Sequence, residues 1–164
     1  MRWKSIVKTV IIIFAFFLMA IECKTDVMAA ETIKLFLGDF DKEELIYNEY
    51  IIAKSYDETD EAFLTRMLKM SPKEEGTYVI GIPNDASIKK IALDAKNDLV
   101  LIHMTQGYET TYYGSLGEAL MLKSLVNTVT HYYNVHKAII QIEGKPYASG
   151  HFCFEEIEVI TALE

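Results

Sequence analysis

Hydrophobic and polar residues alternate with two different periods along this chain, and the change of period marks out strands and helices. Thr32–Gly38, Thr-Ile-Lys-Leu-Phe-Leu-Gly, has the short apolar alternation of a strand, and Leu45–Ala53, rich in Ile and Tyr, predicts a second. The charged connection Asp39–Glu44 makes the pair a hairpin. From Thr59 or Asp60 to Met70 the period lengthens, and Phe63, Leu64, Met67, Leu68 and Met70 fall on one face of a helix. Asp57, Thr59 and Asp60 offer capping oxygens and negative charge at its amino end, and Pro72 stops it.

Ser71–Asp85 reads as irregular and ends in the turn sequence Ile82-Pro83-Asn84-Asp85. Ser87–Ala95 and Asp98–Met104 predict two strands joined by Lys96-Asn97, with Ile91 and Leu93 on one face of the first and Val100, Ile102 and Met104 on one face of the second. Gln106–Gly114 is a polar loop holding Tyr108, Tyr112 and Tyr113. Ser115-Leu116-Gly117-Glu118 matches a capping box, with the Ser115 hydroxyl accepting from the Glu118 N–H and the Glu118 carboxylate from the Ser115 N–H. The helix it opens runs to about Tyr132, with Ala119, Leu122, Val126, Val129 and Tyr133 spaced to meet a core. Val135–Glu143 is a strand, Gly144-Lys145-Pro146 a turn, and Phe152–Ile160 either a last strand or an irregular edge segment. The order β-β-α-β-β-α-β predicts an α+β fold of two layers, two helices packed on one face of a mostly antiparallel sheet. No repeat, low-complexity tract or linker divides it.

The amino end has a different pattern. Arg2, Lys4 and Lys8 precede the uncharged run Val10–Ile21, and Val27-Met28-Ala29-Ala30 supplies the small residues that a signal peptidase reads. Residues 1–30 therefore read as a signal peptide cut after Ala29 or Ala30, leaving 31–164 as a single domain. An uncleaved anchor is the alternative, since the run reaches the roughly 18 apolar residues of a spanning helix only if extended from Ile6. Acylation at Cys23 is disfavoured by Glu22, which stands where a small residue belongs.

Cutting there removes four of 16 basic and two of 24 acidic residues, so the mature domain carries 12 against 22. So acidic a surface argues against nucleic acid and anionic lipid as partners. Cys153 is then the only cysteine, and no internal disulfide forms.

Candidate chemistry is sparse. His131 and His136 lie five apart across a helix end without a Cys or carboxylate at ligand spacing, and neither His103 nor His136 forms part of a metal motif. His151, after Gly150, is the histidine least easily assigned to structure. No serine sits in a Gly-x-Ser-x-Gly elbow, and Glu155 and Glu156 point to opposite faces of a strand. Cys153, between Phe152 and Phe154, reads as a packed thiol. No catalytic residue, cofactor site or metal site is assigned. Tyr108, Tyr112 and Tyr113, with His151, remain as candidate binding residues, because a tyrosine presents an apolar ring with a polar tip.

From about Ile33 to His151 the chain resembles the GerMN domain of bacterial sporulation and spore-germination proteins. The landmarks follow the family's order: Ile33-Lys34-Leu35-Phe36-Leu37, Met70-Ser71-Pro72, Ile82-Pro83-Asn84, Gly114-Ser115-Leu116-Gly117-Glu118-Ala119-Leu120, Leu125-Val126-Asn127-Thr128-Val129-Thr130, Ile142-Glu143-Gly144 and Gly150-His151. The resemblance implies a non-enzymatic module that assembles into extracytoplasmic complexes at the cell envelope. Ser115, Glu118, Asn127, Thr128 and Gly144 are then fold residues: a helix cap, two helix polar groups that reach a neighbouring loop, and a tight turn.

Two functions compete with one another, and a third stands behind them. The first is an exported scaffold that meets an envelope protein partner or itself through edge strands or helix faces, with membrane contact only through the N-terminal segment. The second is a module for cell-wall carbohydrate or peptide that uses the Tyr-rich loop. The third is a hydrolase with His151 as base.

Overall fold

The computed structural model describes residues 29–70, 77–109, 114–149, 151–152 and 160–161. The chain opens with β1 (Ala29–Asp39) and β2 (Glu44–Lys54), an antiparallel hairpin in unbroken register from Ala29↔Lys54 to Asp39↔Glu44. Its turn is tied by Asp39, whose Oδ1 accepts from the N–H groups of Asp41 and Lys42, both at 3.1 Å. Ile33, Leu35 and Leu37 of β1 point into the core. The helix α1 (Asp60–Leu68) follows, capped by Thr59, whose hydroxyl accepts from Ala62 N–H at 3.3 Å, and it buries Phe63, Leu64, Met67 and Leu68. Met70 is half-buried beyond its end, and Pro72 lies outside the described residues.

The short β3 (Tyr78–Val79) pairs with Gly38 and Asp39 on the other side of β1, giving a sheet of order β2-β1-β3. A second sheet is built from β4 (Ile88–Asp94), β5 (Leu99–Met104), β6 (Lys137–Ile142) and β7 (Lys145–Pro146) in that order, with β8 (Ile160–Thr161) also on β6. The long helix α2 (Gly114–Tyr133) lies between β5 and β6 in the chain. β5 and β6 are parallel, as strands joined through a crossover helix can be. The α+β fold with two helices is thus found. What the alternation of apolar residues could not carry is the division into two sheets, because it records which face of a strand is buried but not its neighbour.

α2 packs along β1 and touches α1, β2, β3, β5 and β6. It is buried almost all round: Leu120, Met121, Leu122, Leu125, Val126 and Val129 join one core with β1, α1, β5 and β6, and Ser124, Asn127, Thr128 and Thr130 are buried too. The one-sided stripe read from Ala119 to Tyr133 is therefore too narrow, because the helix has sheet on more than one side. Gly38 permits its approach, since a Cβ there would lie 2.7 Å from Cβ of Leu120. Gly144, at φ +81°, turns the chain from β6 into β7.

The helices also finish the sheets. Phe36 of β1 directs its N–H and C=O away from β2, and α2 meets both: Thr128 Oγ1 accepts from Phe36 N–H at 3.0 Å, and Ser124 Oγ donates to the Phe36 carbonyl at 2.6 Å. α1 treats β4 the same way. Thr65 Oγ1 accepts from Ile88 N–H and Glu61 Oε1 from Ile91 N–H, each at 3.0 Å. In each helix the two sealing side chains are four residues apart, one above the other on one face.

Candidate functional site

The hairpin face opposite the core carries Lys34 and Phe36 on β1 and Leu45 and Tyr47 on β2, because successive residues of a strand point to opposite sides. The last turns of α2 rise beside this face and bring Asn127 and His131 to it, with Asn134 just beyond the helix end. The wedge between them is a groove of about 620 Å³.

An aromatic row crosses it. Phe36 and Tyr47 are register partners with ring centres 5.7 Å apart, and the imidazole of His131 lies 6.1 Å from Phe36 on the other side. The Lys34 ammonium sits 3.8 Å from the centre of the Tyr47 ring, where the negative face of the π system holds a cation. Tyr47 keeps 53% of its surface exposed. His136 stands at the rim, held by Asp98, which accepts from its backbone N–H at 3.0 Å and meets its Nδ1 at 3.0 Å. That contact holds the Asp98 carboxyl below its usual range. Among the described residues no carboxylate lines the groove itself.

The residues singled out from sequence lie elsewhere. Tyr108 does not offer an exposed ring: it is fully buried in a 3-10 turn, Gln106–Glu109, edge-on to Tyr147 with centres 5.8 Å apart. A tyrosine in a polar loop was read as a surface group, but Tyr147, far along the chain, closes over it. Burial raises its hydroxyl well above the ordinary range. Tyr112 and Tyr113 fall outside the described residues. His151 is exposed on the segment after β7, where its backbone N–H donates to Ser149 Oγ at 3.1 Å, and it does not line the groove.

The capping box is also replaced. Ser115 is exposed in the first turn of α2, whereas Glu118 faces the interior and its carboxylate accepts from the Tyr147 hydroxyl at 2.5 Å. The buried phenol outcompetes the Ser115 N–H, which water can serve. Asn127 donates to the Lys123 carbonyl one turn back at 2.7 Å, and Thr128 reaches a strand, Phe36 of β1, instead of a loop. Among the described residues no three His, Cys, Asp or Glu side chains gather as a metal site, and no helix is long and apolar enough to cross a membrane.

Sequence reasoning passed over Lys34, Phe36, Tyr47 and Asn134. The one available signal was Lys34 and Phe36 alternating with the apolar core positions of the first strand, which puts them on the outer face.

A search of curated proteins finds no sequence match. The fold is similar to the first GerMN domain of the sporulation protein GerM from Bacillus subtilis, at TM-score 0.55 and 14% identity, covering 77% of this chain and 96% of that one. It is likewise similar to the tandem GerMN domains of the same protein, at TM-score 0.51 and 15% identity over 79% of this chain and 46% of that one. A putative lipoprotein from Clostridium perfringens matches at TM-score 0.48 and 17% identity, covering 84% of this chain and 91% of that one. The sequence profile of the family described as Germane, sporulation and spore germination, matches residues 35–148. The chain, which shares that profile over most of its length and the GerMN fold with it, belongs to this sporulation and spore germination family.

Proposed function

We propose that this chain is an exported, non-catalytic assembly module of the cell envelope, and that it joins a protein partner by strand addition along β2. The observation that carries the reading is the state of the sheet edges. Phe36 and Tyr47 are opposite one another, and Phe36 turns its backbone groups outward, so Tyr47 does too. The outward groups of β2 are therefore those of Leu45, Tyr47, Glu49, Ile51 and Ala53. Arg66 reaches the Ala53 carbonyl at 3.4 Å, and among the described residues nothing else covers this rim. Helix side chains interrupt two neighbouring edges at Phe36 and at Ile88 and Ile91, and among the described residues no helix side chain but Arg66 meets this one, eleven residues long. Ile51 at 79% exposure and Tyr47 line it, and Tyr56 at 90% lies just past its end. Unpaired strand edges with apolar side chains at alternate positions are the template that β-augmenting partners use.

Export rests on the N-terminal pattern. A cut after Ala30 would remove two residues from β1 and leave Glu31↔Ile52 as the first pair of the hairpin.

The test is the assembly state of the protein in gently solubilised envelopes of the producing cell, comparing wild type with Ile51→Pro. Proline there removes an outward N–H while leaving the β1–β2 ladder intact. A stoichiometric complex in wild type, lost in Ile51→Pro with an unchanged circular dichroism spectrum, is the expected result. A monomeric wild type, or a complex indifferent to the substitution, would end the reading. Intact mass in the same preparation checks export: a chain beginning at Ala30 or Glu31 is expected, and one beginning at Met1 contradicts cleavage.

A further inference from the structure

We propose that the groove between the β1–β2 hairpin and the end of α2 binds a carboxylate-bearing pyranose of the N-acetylmuramyl type, with Lys34 on the carboxylate and Tyr47 and Phe36 against the sugar ring. This site shares Tyr47 with the β2 rim but does not depend on strand addition.

Three features select the ligand. The groove, at about 620 Å³, has the size of a small-molecule site and takes a disaccharide. Its floor is aromatic, and the C–H-bearing face of a pyranose is apolar and faintly positive, which suits the negative face of a tyrosine or phenylalanine ring. Around that floor Asn134 and His131 supply the short-range donors and acceptors that sugar hydroxyl and acetamido groups need.

The charge distribution favours an acid on the sugar. Lys34 forms no ion pair among the described residues, its register partner Glu49 included; its ammonium rests on the Tyr47 ring, and among the described residues no carboxylate lines the groove. An arriving carboxylate exchanges an exposed cation–π contact for a charge-assisted hydrogen bond, which is the stronger of the two. The same movement uncovers the Tyr47 face for the ring.

An acidic peptide fits less well. An extended peptide gains most of its affinity from main-chain hydrogen bonds to a sheet edge, and the β1 edge facing α2 already has its Phe36 N–H and C=O occupied by Thr128 and Ser124. On its α2 side, at Phe36, the groove therefore offers a surface for a ring and no ladder for a strand.

The test is a 15N-resolved NMR titration of the full chain in detergent micelles with two probes, N-acetylglucosaminyl-N-acetylmuramic acid and the neutral N,N′-diacetylchitobiose, called chitobiose below. Saturable shifts are expected at Phe36, Tyr47, His131 and Asn134, with the acidic disaccharide bound about tenfold more tightly, the worth of one exposed charge-assisted contact. Lys34→Gln should abolish that preference while leaving chitobiose binding in place, and Tyr47→Ala should weaken both sugars. Lys34 is half-buried but stands outside the core, and glutamine keeps part of its aliphatic stem, so the replacement leaves the fold intact and the comparison valid. Equal affinity for the two sugars, shifts that avoid these residues, or displacement of the disaccharide by an equimolar glutamate hexapeptide would each overturn the proposal.

Discussion

Asp60 shows how much of this fold hangs on single side chains. Lys54 at the end of β2 pairs with it, Tyr133 donates to its Oδ2 at 2.8 Å, and Tyr132 lies 3.3 Å from Oδ1, so one carboxylate joins β2, α1 and α2. Burial pushes this carboxyl up, but the hydrogen bonds from Lys54 and Tyr133 prevail and its pKa is lowered. Burial and the Asp60 contact push the Tyr133 hydroxyl in the opposite direction, upward. A carboxyl that titrates lower in the folded chain contributes its full stability above its unfolded pKa, and the contribution fades as the pH falls through the depressed folded value. Asp60→Asn is therefore expected to be less stable at neutral pH and to lose part of the wild-type sensitivity to acid, as urea titrations across that range would record. The side chain keeps 37% of its surface in water, so Asp60→Ala should cost only about 1–2 kcal/mol. Gly38 makes a steric prediction instead. A methyl group there meets Leu120 at 2.7 Å, and since α2 is held on several sides, Gly38→Ala should destabilise by about 1–3 kcal/mol in the same titration.

At the scale of elements, the sealing of sheet edges by helix side chains is the organising device. Ser124 and Thr128 serve β1, and Glu61 and Thr65 serve β4. Thr128→Val keeps the shape but strips the acceptor from the Phe36 N–H, leaving it unsatisfied at a cost of about 1–3 kcal/mol. Its signature is local: hydrogen exchange at the Phe36 amide should accelerate more than exchange at Leu35, whose N–H belongs to the β2 ladder. A uniform acceleration would mean that the whole hairpin, not its edge, had been loosened.

The longer strands and the two helices were legible in the sequence because Ile33, Leu35 and Leu37, or Phe63, Leu64 and Met67, are spaced by the period of their element, whereas β3 and β7, two residues each and too short to show a period, lay in stretches read as irregular and as a turn. The seals were not. A serine, a threonine or a glutamate among apolar helix residues has the same local pattern whether it faces water or the backbone of a distant strand. Glu118 misled for a related reason: its spacing from Ser115 is that of a cap, and only the approach of Tyr147 turns it inward. The groove was illegible because its parts come from residues 34, 36, 47, 131 and 134, and no local spacing joins a hairpin to the end of a helix nearly a hundred residues later.

For the molecule as a whole, charge is spread unevenly. Formal net charge is −8, yet the groove is lined by one lysine, two histidines and neutral residues. An acidic body around a non-acidic cleft repels anions at long range and accepts them at close range, so raising ionic strength should speed the association of an acidic sugar. Stopped-flow rates at two salt concentrations check the sign; slower association at high salt would contradict it. The family profile spans 35–148 and so covers the rim and every groove residue except Lys34.

The sealed edges also govern how many neighbours a chain can take into its sheets. A subunit with two open rims polymerises, each addition exposing a fresh template for the next. Here the longest rim left open among the described residues belongs to β2, and helix side chains interrupt the others at Phe36 of β1 and at Ile88 and Ile91 of β4. Two chains meeting rim to rim would close a pair and end growth, and a chain docked on another protein's strand would cap that sheet. Growth beyond such a pair would need contacts of a different kind, through side chains on helix or sheet faces, and its geometry would then be a matter of packing angles and not of strand register.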